Sequence, residues 1–152
     1  MVKTIWIGRV IGLVTVLALV GCAPSPPLPD DQPTLARMAD SDDLEIALRA
    51  TQKISEVYGE KALLDLLEKG GPNARGWAAS LLLGHPSDRT RQALLVALKD
   101  SSPDVRSKAL ISLATLCDRT CLPAITPLAN DPDPKVREIQ VRTSQAIESR
   151  SP

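Results

Sequence analysis

Two stretches decide the fold: SSPDVRSKALISLAT, Ser101 to Thr115, and PDPKVREIQVRTSQA, Pro132 to Ala146. Laid over one another they align Pro103 with Pro134, Val105 with Val136 and Arg106 with Arg137, a spacing of 31 residues. One more step towards the N-terminus finds KGGPNARGWAASLLLG, Lys69 to Gly84, with Pro72, Ala74 and Arg75 at the same places. A fainter copy, ADSDDLEIALRATQKI, begins at Ala39; there Leu44 stands 30 residues before Ala74 and Glu45 replaces the arginine. A fixed period of this length marks stacked units, none of which can bury its apolar face alone.

Each unit reads as a pair of helices. Leu63, Leu64, Leu66 and Leu67 form the apolar stripe of one first helix, and Leu94, Leu95, Ala97 and Leu98 that of the next. After a short polar turn, Ser102 and Asp133 stand as N-caps, with Pro103 and Pro134 at the first helical position, where a missing N–H costs nothing. Gly71 before Pro72, and Ser41 before Asp42, fill the same places. The second helix then buries Val105, Ala109, Leu113 and Leu116, matched one unit earlier by Ala74, Ala78 and Leu82, with Gly84 closing the helix. With almost no β-branched alternation, the pattern predicts an all-α chain.

The D-P-D-P-K-V-R run, Asp131 to Arg137, and its copies resemble HEAT repeats, and the period is similar to that of the short HEAT-like class found in phycobilisome lyase subunits and many bacterial scaffold proteins. The resemblance implies an α-solenoid of about four helix pairs over residues 34–150, with second helices lining a concave side. It also implies that Arg75, Arg106 and Arg137 each bond their own turn and the neighbouring one, through Asp100, Asp104, Asp131 or Asp133. A ladder of arginines for an acidic partner is the other use open to them. At the C-terminal end, Gln140 and Ser144 take places held earlier by Ala109 and Leu113, as an unpartnered outer face allows. Pro127 predicts a bent or shortened first helix in that unit.

Outside the repeats, the N-terminus carries an address. Lys3 and Arg9 precede the apolar run Val10 to Val20, which is only about 16 Å long as a helix, short for a bilayer span. A charged start, a short apolar run and small residues after it describe a secretory signal peptide, residues 1–21. Leu19-Val20-Gly21-Cys22 resembles the lipobox of bacterial lipoproteins. That resemblance implies cleavage before Cys22 and acylation of Cys22, with a lipid anchor in the membrane; Ala23 resembles outer-membrane sorting. Residues 22–33 then form a tether: from Ala23 to Pro33, five of eleven residues are proline, which predicts an extended spacer of roughly 30 Å.

Composition narrows the function. Eighteen basic and eighteen acidic side chains give no net charge to attract nucleic acid, and with no Phe the core must come from Leu, Ala, Val and Ile. His85, the only histidine, has no ligand-spaced partner, and no phosphate loop or nucleophile set can be assembled, so no catalytic residue, metal, cofactor or small-molecule substrate is expected. Cys117 and Cys121 flank a predicted connection; in an exported chain they read as a disulfide, with free thiols as the alternative. Trp77 is either a binding anchor or a filler of the space beside Ala74, Ala78 and Ala79. Lys108 and Ser112 lie off the Val105–Ala109–Leu113 stripe, and Glu138 and Arg142 should present similarly one unit on. With Trp77 they form the predicted contact strip for an unidentified envelope protein. The expectation is a lipid-anchored interaction module, not an enzyme; a lyase-like subunit of the phycobilin-lyase type is the alternative.

Overall fold

A computed structural model describes residues 26–150; the signal segment, Cys22 and its proposed acylation lie outside the described residues. Seven α-helices occur, with no strand among the described residues: α1 (Gln32–Met38), α2 (Leu44–Lys69), α3 (Pro72–Leu81), α4 (Asp88–Ala97), α5 (Pro103–Leu116), α6 (Leu122–Ile125) and α7 (Pro134–Arg150). They form an α-solenoid of four helix pairs. The second helices, namely the first part of α2, then α3, α5 and α7, pack on one another in chain order. The first helices are α1, the second part of α2, α4 and α6.

Two of these helices are fused. Residues 44–58 end one pair and residues 60–69 start the next, with only Gly59 between them, at φ 69° and ψ −160°. That region of backbone space is essentially closed to side-chain-bearing residues. Nothing lies within 4 Å of where a Cβ would stand, so the requirement for glycine is conformational, not spatial.

The core follows the repeat. Ala74, Ala78, Leu82, Val105, Ala109 and Leu113 are wholly buried, joined by Leu35, Ile54, Leu63, Leu94, Leu110, Ile125 and Ile147. Leu116 departs from the predicted stripe and is only partly buried. In the first unit, Leu44 is 66% exposed and Ala47 is the residue inside. The helix there starts two residues later than the alignment predicts, because Asp43, not Ser41, is the cap: its carboxylate accepts from the N–H groups of Glu45 (2.9 Å) and Ile46 (3.1 Å).

The other caps show how neighbouring units lock together. Asp133 caps α7 through the N–H of Lys135 (2.8 Å), as predicted. Ser102 caps nothing with its side chain; its own N–H is donated to Asp100 Oδ1 (2.8 Å). Gly71 has no side chain to cap α3, and Asp40 of the preceding unit does so instead, accepting from Asn73 N (3.0 Å) and Ala74 N (3.3 Å). A Cβ on Gly71 would sit 1.6 Å from that carboxylate, so the glycine makes room for the neighbour's cap.

Pro127 has the predicted effect: α6 is one turn long and continues as a 3-10 segment, Thr126–Asn130. The polar residues of α7 are placed differently from expectation. Gln140 is 6% exposed and donates to Ser144 Oγ (3.0 Å), so the two polar groups satisfy each other inside the fold. Arg150 reaches back to the carbonyls of Ala114, Thr115 and Cys117, filling orphan acceptors at the C-terminus of α5.

The described part of the predicted tether is docked on α2. Residues 26–31 do not stand free: Arg49 donates to Pro26 O (2.9 Å), Lys53 to Leu28 O (2.8 Å) and to Asp30 Oδ1 (2.6 Å), and the Tyr58 hydroxyl to Asp30 O. Leu28 packs against the core. Proline removes N–H donors but leaves every carbonyl free to accept, and a row of basic and phenolic donors on α2 takes them.

Candidate protein-binding face

Behind the candidate face runs a polar seam that positions it. Arg75 donates to both oxygens of Asp100 (2.7 and 2.8 Å) and Arg106 to both oxygens of Asp131 (2.8 and 2.7 Å). The third guanidinium nitrogen of each reaches its own turn: Arg75 to Gly70 O (2.9 Å), and Arg106 to Asp100 O (2.8 Å) and Ser101 O (3.2 Å). Arg137 makes the same carbonyl contacts, to Asp131 O (2.6 Å) and Pro132 O (3.1 Å), but no carboxylate among the described residues meets it. Arg75 and Arg106 therefore hold turn to turn, as the resemblance implied, using Asp100 and Asp131, whereas Arg137 bonds only its own turn. Asp104 pairs instead with Lys108, and Asp133 serves as a cap.

Charge at these rungs is held in place. The Arg106 hydrogen bonds keep the Asp131 carboxyl below the usual carboxylate range, against the opposing effect of burial. At Asp100 burial pushes upward, yet the bonds from Arg75 and the Ser102 N–H outweigh it and the net shift is down. Asp100 in turn raises the Arg75 guanidinium.

A second set of rungs joins the second helices directly. Ser112 Oγ donates to Ala79 O (2.8 Å), and Thr143 Oγ1 donates to Leu110 O (3.3 Å); both donors and both acceptors are 31 residues apart. Ser112 is 1% exposed. Its predicted place on the contact strip is therefore wrong: it faces the neighbouring helix, one residue before the buried Leu113, where the hydroxyl answers a carbonyl across the interface.

The remaining predicted residues do share the second-helix face. Trp77 is half-buried rather than filling the core, and Lys108 Nζ lies 3.9 Å from its ring centroid and 2.9 Å from Asp104 Oδ2. A Cβ on Gly76 would come within 2.8 Å of Asp104 Oδ2, so the small residue lets this trio lie flat across α3 and α5. One unit on, Glu138 and Arg142 pair at 2.5 Å and border a groove of about 430 Å³ between α5 and α7. Ile111, Lys135 and Ile139 line the same groove, and Ile111 is 53% exposed. Those three were not singled out from sequence, although Ile139 stands one period after Lys108, and Lys135 one period after Asp104.

The chemistry available elsewhere is limited. Ser55 Oγ lies 3.0 Å from His85 Nε2, a pair the sequence did not reveal. Nearby Glu60 does not orient that imidazole; its Oε1 accepts from the hydroxyls of Ser87 and Thr90 (3.0 Å), which draw its carboxyl below the usual range. Nucleophile, base and orienting acid thus do not connect into a relay. Cys117 and Cys121 form a disulfide that closes the segment after α5. Among the described residues no cluster of three or more His, Cys, Asp or Glu could hold a metal ion, and no helix is long and apolar enough to cross a membrane. A larger groove, about 810 Å³, lies on the first-helix side, lined by Leu64, Leu67, Ala93 and Val96 over the Arg75–Asp100 pair; Val96 is 73% exposed.

Comparison with known proteins agrees with this geometry. The HEAT repeats family profile matches residues 91–150. Among solved structures, human deoxyhypusine hydroxylase in complex with glycerol is similar, with a TM-score of 0.60 and 22% identity over 82% of this chain and 46% of that one. This chain thus spans about half the length of that protein, and at such identity the likeness speaks for the fold alone. No curated protein matches the sequence. The described residues are an all-α solenoid built from HEAT-like repeats.

Proposed function

We propose that this chain is a non-catalytic protein-interaction module, a scaffold, assembly factor or regulator, anchored by a lipid on Cys22 in a bacterial cell envelope. The observation that carries the interaction reading is the second-helix face. Trp77, capped by Lys108, and the groove bordered by Ile111, Glu138 and Arg142 place apolar surface and paired charges side by side. Aromatic and apolar anchors ringed by charge are what a protein partner desolvates and aligns against. The lipobox-like Leu19 to Cys22 supports the anchor.

Photo-crosslinking in intact envelopes, with recovery of the crosslinked partner, tests the face. Ile111→Asp and Arg142→Glu should reduce recovery while helicity and melting temperature stay close to those of the parent, since exposed positions usually cost under about 0.5 kcal/mol. Val96→Asp, in the larger first-helix groove, is the counter-arm. Recovery lost with Val96→Asp and kept with the other two would move the binding site to that groove. For the anchor, Cys22→Ser should abolish metabolic palmitate labelling; labelling that survives refutes it.

A further inference from the structure

The strap formed by residues 26–31 fixes more than the first turn of α1. We infer that the first-repeat end of the solenoid is a lipid-apposed surface, held against the bilayer by a leash of only a few residues. The inference rests on the anchoring reading above. A spacer of twelve residues, 22–33, would let the module swing. The observed clamp removes half of it. Arg49 and Lys53 stand one helical turn apart and hold the carbonyls of Pro26 and Leu28, Lys53 also takes the Asp30 carboxylate, and Tyr58 takes the Asp30 carbonyl. Leu28 is packed against the core, so the strap has an apolar anchor as well as polar ones.

Four residue steps separate Cys22 from Pro26, a reach of at most about 14 Å; with the strap released, nine steps to Asp31 would allow roughly 31 Å. Helices stacked about 9 Å apart put α7 some 27 Å beyond the first part of α2. The first repeat thus cannot leave the membrane surface, whereas the last repeat and its groove can stand away from it. A partner that spans Trp77 and Arg142 would then run along the solenoid away from the bilayer, from the second repeat to the last.

Lipidated full-length protein in phosphatidylethanolamine–phosphatidylglycerol vesicles tests this by energy transfer to a rhodamine headgroup lipid. A donor is placed on Leu44→Cys, in the first repeat, or Val141→Cys, in the last; these positions are 66% and 50% exposed. Transfer should be stronger from Leu44→Cys. Release of the strap by Arg49→Gln, Lys53→Gln and Tyr58→Phe together should lower it at least twofold. A Gly-Ser insertion after Ala23 lengthens the leash with the strap intact and should do the same, so a strap variant that misfolds does not decide the matter. Equal transfer from the two sites in the parent overturns the inference. So does a well-folded strap variant that transfers like the parent while the insertion lowers transfer. Intact mass and vesicle flotation are read on the same samples. A chain without diacylglycerol refutes the anchoring reading instead, and the strap is then judged by a nitroxide on Pro27→Cys, immobile in the parent and mobile after release.

Discussion

The Arg106–Asp131 rung offers the sharpest test of what the repeated arginines do. Arg106→Ala removes two charge-assisted bonds to Asp131 and two bonds to the carbonyls of Asp100 and Ser101, and leaves a carboxylate whose side chain is only 6% exposed without its cation. Removing one partner of a buried pair costs about 3–5 kcal/mol, and of an exposed pair under about 1. The rung is buried but sits in a turn, so the low end applies, about 3 kcal/mol. For a folded unit of this size that is roughly 9–15 °C in melting temperature. Arg137→Ala removes only carbonyl contacts from an exposed side chain and should cost under about 1 kcal/mol. Urea unfolding followed by far-ultraviolet circular dichroism, with the disulfide intact, measures both. Equal losses would refute the turn-to-turn account, and so would an Arg106→Ala protein as stable as its parent.

Three further outcomes are expected. The folded-state carboxyls of Asp100 and Asp131 lie below the usual range, so their stabilisation is complete above the unfolded value near about 3.9 and is lost as pH falls through the folded one; Asp131→Asn should flatten the stability profile below about pH 4, read by urea midpoints across a pH series. Gly59→Ala should destabilise by about 1–3 kcal/mol despite open space around the site, because its backbone conformation excludes a side chain; a thermal melt unchanged by the substitution would contradict this. Replacing both Cys117 and Cys121 with Ser should cost about 2 kcal/mol, the entropy of so short a loop, and mass spectrometry of unreduced protein should show the peptide two mass units below its reduced form.

The 31-residue period, the helix pairs, the wholly buried Val105, Ala109 and Leu113, and the break at Pro127 were all legible in the chain. These are local matters: proline geometry, N-cap chemistry and the spacing of apolar side chains act within one helix or one turn. The fusion at Gly59 was equally local, but a lone glycine between two amphipathic segments reads the same whether it ends a helix or bends the chain. What the tertiary structure decided were contacts between residues 23–36 positions apart. Stacking offset selected Asp131 for Arg106 over Asp133, gave Asp40 the cap of α3, and turned the Ser112 hydroxyl towards Ala79 rather than solvent. It also left Trp77 half exposed beneath Lys108 and drew residues 26–31 onto α2. Residue type states what a donor or acceptor can bond. Which acceptor lies within 3 Å depends on how far each helix pair is rotated and slid against the next, and that is set by the packing of Ala, Val and Leu side chains summed over the whole interface.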